Sequence, residues 1–297
     1  MSFGVSTRGF YDRSTSVMTG LQKQADKAMV QISTGKRLQV PSDDPVAYQR
    51  LQVLRRASAD EAVYGANVKV AQATLQQADT QLDEISTQLQ QVTERALRAA
   101  NGTMSANDRA SIAIELRSIL ETIVAAANVK DARGLPLFGG QGNEPSVASK
   151  PDGSLDFAPG RQTAIPIGDG QAVEPGVSAG EVLKIGNGRD IGAVVTALIT
   201  SLAAGEAPAD ADRADLAALS EQVIQAQTSV GARAARVDLQ AGYFATAALE
   251  REDTRSGLED ADPAQAITDL KRAMTILEAT QASFGKLSQM SLFDYIR

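Results

Sequence analysis

Apolar residues recur at a helical spacing through long stretches of this chain. Between Val68 and Ala99 the spacing alternates between three and four residues without a break. This is the a/d pattern of a helix that packs along one narrow seam. The seam consists of Val68, Ala71, Leu75, Ala78, Leu82, Ile85, Leu89, Val92, Ala96 and Ala99. The same period recurs at 112–126 and, with one irregular step, at 216–248, so these stretches are also predicted to form long helices.

Turn and capping residues indicate where the helices begin and end. An Asn-Gly pair at 101–102 interrupts the first long helix, and the Ser-Ala-Asn-Asp segment at 105–108 is a capping box for the next one. A short helix is predicted at 191–202. Pro263 is expected in the first turn of the last helix, where proline is tolerated.

The two ends of the chain carry narrower seams that contain many alanines. The seam residues of the first and last helices are Met18, Leu21, Ala25, Ala28, Ile32, Ala266, Leu270, Ala273, Leu277, Thr280, Phe284 and Leu287. A lone helix of this kind buries too little apolar surface to be stable in water. We therefore expect the first helix to pack against the last, and both to pack against neighbouring subunits of an assembly.

The middle of the chain has a different composition. Residues 134–190 hold 12 of the 24 glycines and 6 of the 10 prolines, a density that favours short strands and turns. Strands are predicted at 164–167 and 181–185. The predicted fold is mainly α, a long antiparallel coiled-coil or helical rod made from paired N- and C-terminal halves, with a small β-rich insert in the middle of the chain.

Three domains are expected from this division. A terminal coiled-coil domain comprises 1–45 and 258–297, and a helical rod domain comprises 46–138 and 191–257. The Gly/Pro-rich β insert comprises 139–190 and faces outward.

Composition excludes several classes of function. The 297 residues include no Cys, His or Trp, which excludes zinc sites of the usual ligands, disulfides and His-based catalytic triads. A net charge of −7 argues against binding to nucleic acid or to an anionic membrane. The sequence has no transmembrane stretch and no apolar run of a secretory signal. We expect no enzyme activity, no cofactor and no metal.

The segment Pro41-Ser42-Asp43-Asp44-Pro45 is the densest local signal. Two adjacent carboxylates could belong to a cation site or an acid pair. The favoured interpretation is a helix start, in which a side-chain oxygen caps the helix that begins near Pro45. No third or fourth ligand lies nearby in the sequence.

A second local pattern is the Gly-rich stretch at 185–192. It differs by one residue from a dinucleotide-binding fingerprint, and it is interpreted as a turn that opens the helix at 191.

Large apolar residues at the C-terminus are unusual, because chain ends are normally polar. They include Leu292, Phe293 and Tyr295. They could fix the last helix to the first within one subunit, or they could anchor one subunit to another. Both interpretations stay open.

Several of these segments together resemble the bacterial flagellin family, and within it the hook–filament junction proteins more than the flagellins themselves. The segments that carry the resemblance are Gln31-Ile-Ser-Thr-Gly-Lys-Arg-Leu-Gln-Val-Pro-Ser-Asp-Asp-Pro45, Asn101-Gly-Thr, Asp108-Arg-Ala-Ser-Ile112, Leu137-Phe-Gly-Gly140, Leu258-Glu-Asp-Ala-Asp262, Ala266-Ile-Thr-Asp-Leu270 and Ser291-Leu-Phe-Asp-Tyr-Ile296. The resemblance covers about 1–140 and 212–297. The resemblance does not extend to the insert, and Pro136 departs from the family pattern at its entry.

The resemblance implies a structural role in the bacterial flagellum. Paired terminal helices would form the inner tube of a helical or ring-like assembly of this chain. The subunits would assemble on the neighbouring hook-associated protein and template the polymerisation of flagellin. The resemblance also implies an extracellular location, export by the flagellar type III apparatus without a cleavable signal peptide, and a secretion chaperone at the C-terminal helix.

Other functions stay open at this point. The chain could be a short flagellin, the filament subunit, or a cytosolic coiled-coil adaptor that shares the seams but is not exported. An enzyme that uses the insert is the remotest alternative, because the carboxylates there do not suggest a paired site.

Overall fold

A computed structural model describes residues 7–139, 142, 144–160, 162–186 and 188–293, and the side chains of residues 7, 8 and 287–293 lie outside the description. The helices are α1 Thr7–Thr34, α2 Pro45–Ala99, α3 Ala106–Ala127, α4 Ala179–Leu183, α5 Ile191–Ala203, α6 Asp210–Glu259 and α7 Pro263–Phe293. The strands are β1 Val147–Ser149, β2 Leu155–Phe157, β3 Ile165–Gly168 and β4 Gln171–Val173. The prediction of a mainly helical fold with a small β insert is confirmed.

The chain forms two compact units. Unit 1 comprises Met1–Ala59 and Ala247–Arg297, and unit 2 comprises Asp60–Thr246. Helices α2 and α6 contribute residues to both units. The division into three domains stays a prediction.

Unit 2 has an extensive hydrophobic core. Every seam residue from Val68 to Ala99 is buried, and the α3 residues Ile112, Leu116, Ile119, Ile123 and Ala126 are buried with them. The α6 seam contributes Leu216, Leu219, Val223, Val230 and Val237. Ala226, Ala234, Ala241 and Phe244 of the α6 seam are partly buried against this core. Burial therefore follows the a/d period fully along the α2 and α3 seams, and less completely toward the end of α6.

The insert packs into the same core. Strands β1 and β2 pair antiparallel with Val147 opposite Phe157, and β3 pairs antiparallel with β4. The buried side chains of Val147, Ile167 and Val173 join the helical core, so the insert and the helices of unit 2 share one apolar interior.

The strand predicted at 181–185 is wrong. Residues Ala179–Leu183 form the short helix α4, in which Ala179, Val182 and Leu183 are buried. The apolar residues fall at i, i+3 and i+4, which places them on one face of a helix and not on alternate faces of a strand. The other predicted strand is confirmed as β3.

The helix boundaries predicted at 101–102, 105, 191 and 263 hold. Helix α2 ends just before the Asn-Gly pair at 101–102, and Ser105 caps α3 by accepting a hydrogen bond from the Asp108 amide. Asp190 caps α5 through the Ala193 amide, and α7 begins at Pro263. No helix in the described part of the chain is long and apolar enough to cross a membrane.

Candidate assembly surface

Helices α1 and α7 of unit 1 form an antiparallel pair. The ring of Tyr11, near the start of α1, contacts Phe284 edge to face with centroids 5.1 Å apart. Just beyond the other end of α1, the Ala261 amide donates to the Gly35 carbonyl over 2.8 Å. The pairing of the first helix with the last therefore brings together the two segments that are farthest apart in the sequence.

The seam between α1 and α7 is built from alanine. Ala25 and Ala28 of α1 and Ala266 and Ala273 of α7 are buried. Small side chains at the contact let two helix backbones approach closely. Little apolar area leaves water at such a seam, so it holds the pair together only weakly.

The larger predicted interface residues lie at the edges of this seam. Met18, Leu21, Leu270, Leu277, Thr280 and Phe284 are half-buried. Ile32 is 38% exposed and is therefore less covered than the other members of this set. The side chains of Leu287, Leu292 and Phe293, and the whole of Tyr295, lie outside the described residues.

An open groove lies along the pair near the start of α1. It has a volume of about 430 Å³ and is lined by Phe10, Ser14, Thr275, Ile276, Ala279 and Phe284. Apolar and hydroxyl side chains line it, which suits another helix better than a charged ligand.

Among its described residues, unit 1 exposes more large apolar side chains than it buries. Eleven of the eighteen exposed large hydrophobic side chains in the described part of the chain belong to this unit. They are Val17, Met29, Val30, Ile32, Val40, Val46, Val53, Leu249, Ile267, Met274 and Ile276. Apart from its four seam alanines, the buried hydrophobic residues of unit 1 among those the structure describes are Leu38, Ala47 and Leu51. An excess of exposed over buried large apolar side chains is typical of surfaces that other chains cover.

The segment at 41–45 forms the start of α2. Asp44 Oδ1 accepts hydrogen bonds from the amides of Val46 and Ala47 at 3.1 and 3.0 Å, so Asp44 caps the helix whose first residue is Pro45. Pro41 and Ser42 are exposed in the turn before it. This arrangement is a helix cap, and no group of three or more acidic, His or Cys residues in the described chain could hold a metal.

Asp43 has a different set of partners. Its Oδ1 accepts from Lys27 Nζ at 2.8 Å, and its Oδ2 accepts from the amides of Gln39 and Val40. The bond from Lys27, followed by that from the Gln39 amide, lowers the pKa of Asp43 to about 2. Asp43 thereby ties α1 to the α1–α2 connection.

One buried acidic residue was not identified from the sequence. Glu259, the last residue of α6, has a side chain only 3% exposed and binds Lys36, Arg55 and Arg255. Its position at a helix end could have indicated a need for cationic partners, because a carboxylate in the last turn of a helix faces the negative end of the helix dipole. An acid at that position is stable only with cations around it.

Comparisons with known proteins find similarity to flagellar proteins. Residues 5–142 match the family model described as the bacterial flagellin N-terminal helical region. Flagellar hook-associated protein 3 of Escherichia coli is 27% identical over 221 residues, which is 74% of this chain and 65% of that protein. The same protein of Salmonella typhimurium is 32% identical over 140 residues, 47% of this chain and 44% of the relative. The chain thus spans less than two thirds of the length of either relative.

Solved structures share the fold. A Vibrio parahaemolyticus protein described as a flagellar hook-associated protein is 25% identical, with a TM-score of 0.68 over 73% of this chain and 100% of its own. The flagellar junction protein FlgL of Legionella pneumophila has a TM-score of 0.60 at 12% identity, over 71% of this chain and all of its own. That second similarity supports the fold alone.

Proposed function

We propose that this chain, a flagellin-like protein similar to flagellar hook-associated protein 3, is a structural component of the junction between hook and filament. Copies of the chain add to the neighbouring hook-associated protein, and their outer surface then accepts flagellin. The work of the protein is mechanical and templating, and no reaction is catalysed.

The observation that carries this proposal is the poor core of unit 1. The α1–α7 pair buries four alanines along its seam and leaves Met29, Ile32 and Ile276 exposed. Apolar surface of this kind gains free energy when neighbouring subunits cover it. Repeated head-to-tail contacts of one chain generate rings or helical assemblies.

The proposed interface consists of the predicted seam residues of both terminal helices together with the C-terminal residues Leu292, Phe293 and Tyr295. In the assembly, the half-buried members such as Met18, Leu21 and Leu277 contact the next subunit as well as the partner helix. The cap at Asp44 fixes where α2 leaves this interface.

Export and chaperoning follow from the same surface. An exposed apolar helix pair aggregates before assembly unless another protein covers it. We propose that a flagellar secretion chaperone covers the C-terminal helix in the cell, and that the chain reaches the outside through the flagellar export apparatus without a cleaved signal.

The filament subunit itself is the second candidate function, because the matched family model is described as a region of flagellin. The two curated relatives carry the name hook-associated protein 3, and this favours the junction. The two roles differ in copy number. A junction protein is present in the copies that make up one ring, whereas a filament subunit is present in thousands of copies.

A strain that lacks the gene distinguishes these roles. A junction role predicts cells that carry hooks without filaments and release flagellin monomers into the medium, as assayed by immunoblot. Absence of both filaments and released flagellin would assign the chain to the filament. Normal motile filaments would contradict both roles and favour a cytosolic adaptor.

A further inference from the structure

Glu259 occupies an electrostatically unfavourable position in unit 1. It ends α6, where the unsatisfied carbonyls carry partial negative charge, and its side chain is 3% exposed. A carboxylate is stable there only if cations and donors replace the water it has lost.

Three cations from different segments provide that replacement. Glu259 Oε1 accepts from Lys36 Nζ at 2.8 Å and from Arg55 Nη2 at 3.1 Å, while Oε2 accepts from Arg255 Nη1 at 2.8 Å. Lys36 lies in the α1–α2 connection, Arg55 lies in α2 and Arg255 lies one turn earlier in α6. We refer to these four residues as the Glu259 cluster.

Backbone bonds reinforce the same contact. The Glu259 carbonyl accepts from the Arg37 amide at 2.7 Å, and the Leu258 carbonyl accepts from Arg37 Nη2 at 2.8 Å. Two residues before Arg37, the Gly35 carbonyl accepts from the Ala261 amide. The residues just after α1 are therefore bound directly to the link between α6 and α7.

A small apolar cluster closes this end. Leu38, Ala47 and Leu51 are buried together, with Leu258 packed against them. Along α1 itself, the buried residues Ala25 and Ala28 lie in the half nearer to this cluster, and Met18 and Leu21 farther away are only half-buried. Among the side chains that the structure describes, the buried and ion-paired contacts of the α1–α7 pair therefore concentrate at its connection end.

We propose that Glu259 is the latch of the α1–α7 pair. By gathering the cations of the connection, of α2 and of α6, it keeps the two helices together at the connection end, so that the pair opens and closes from the other end. The other ends of the two helices can then separate and contact neighbouring subunits. At the connection end, the same residues of α1 and α7 stay opposite each other.

Amide hydrogen exchange in the purified full-length chain tests this latch. In the wild type, α1 amides at 28–34 exchange more slowly than those at 11–18. In Glu259→Gln the Arg37 and Ala261 amides exchange at least tenfold faster, and the difference along α1 is lost. The Leu137 and Ala179 amides, which donate to Val129 and Phe138 in unit 2, keep their wild-type rates.

Glu252→Gln is the matched control. Glu252 lies two turns earlier in α6, also binds Arg255, and has a side chain that is 64% exposed. The same chemical change at this position leaves the exchange of Arg37 and Ala261 within a factor of two of wild type. Equal acceleration in both variants would overturn the proposal, as would no acceleration in Glu259→Gln.

Two further variants keep the test valid if Glu259→Gln does not fold. Lys36→Gln and Arg55→Gln each remove one cation whose side chain is about half exposed, and both accelerate the same two amides by a smaller factor. Wild-type exchange in both variants, or acceleration that extends to unit 2, would overturn the latch. Because the monomer is measured, the result does not depend on the proposed junction role.

Discussion

Asp43 and Asp44 are adjacent in the sequence but bind different groups. Asp44 accepts hydrogen bonds from two amides in the first turn of α2. Asp43 accepts hydrogen bonds from the Lys27 ammonium and from two amides of the preceding connection. One residue therefore starts a helix, and its neighbour fixes the connection to the helix before it.

Replacing the cap tests the first of these roles. Asp44→Ala leaves the amides of Val46 and Ala47 without their acceptor, and we expect a loss of about 1 kcal/mol in the free energy of unfolding. Asp44→Asn keeps an oxygen at the same place and should lose much less. Urea unfolding followed by circular dichroism measures both, and equal losses would contradict the cap.

The second role predicts a pH dependence. The pKa of Asp43 is lowered to about 2, whereas an unfolded Asp has a pKa near ~3.9. A lowered pKa means that the carboxylate stabilises the fold above pH 4 and that this contribution disappears as the pH falls toward 2. We expect Asp43→Asn to be about 1 kcal/mol less stable than wild type at neutral pH, since Lys27 is half exposed to solvent.

Urea unfolding of wild type and Asp43→Asn between pH 2 and 7 measures this difference. The difference should shrink to nearly zero at about pH 2. Asp26→Asn is the control, because Asp26 is an exposed residue that binds Gln22 and should show no such trend. A constant difference across the range would contradict the role of Asp43.

Two adjacent residues of α1 face different surroundings, one in the α1–α7 seam and one on the exposed face. Ala28 is 4% exposed within the α1–α7 seam, and Met29 beside it is 62% exposed. A carboxylate at position 28 would be buried in the alanine seam, whereas at position 29 it would stay in water. The two positions therefore separate the stability of the monomer from contacts with other subunits.

We expect Ala28→Asp to lower the free energy of unfolding of the monomer by about 2–3 kcal/mol. Met29→Asp should change it by less than about 0.5–1 kcal/mol and should still prevent filament attachment and motility. Urea unfolding together with swimming in soft agar measures the two effects. Normal motility in Met29→Asp would contradict an assembly role for the exposed face of α1.

Elements with a long regular period could be predicted from the sequence. The seam from Val68 to Ala99 is buried throughout because a strict a/d period leaves only one face for the core. Helix α4 could not be predicted in the same way. It has five residues, too few for a period to be counted, in a stretch whose glycines and prolines favour strands and turns.

The Glu259 cluster could not be predicted because its members are distant in the sequence. Lys36 lies 223 residues and Arg55 lies 204 residues from Glu259. The fold brings the α1–α2 connection, α2 and the end of α6 together, and spacing along the chain does not show which charges meet. The available signal was the acid in the last turn of α6, which requires cations nearby.

At the scale of the whole molecule, the two units differ in what they bury. Among the described residues, unit 2 buries the seams of three helices and the insert in one core, whereas unit 1 buries mainly alanine and exposes eleven large hydrophobic side chains. This difference supports the proposal that the terminal helices make the contacts between subunits.

The position of the chain in isolated flagella is the most direct test of the proposed junction role. A short epitope tag placed in the β3–β4 turn, at the exposed Asp169 and Gly170, leaves unit 1 unchanged. Strains that swim normally with the tagged chain would be labelled with gold-conjugated antibody and viewed by electron microscopy. The junction role predicts one narrow band of gold at the boundary between hook and filament. Gold along the whole filament, or none on the flagellum, would contradict it.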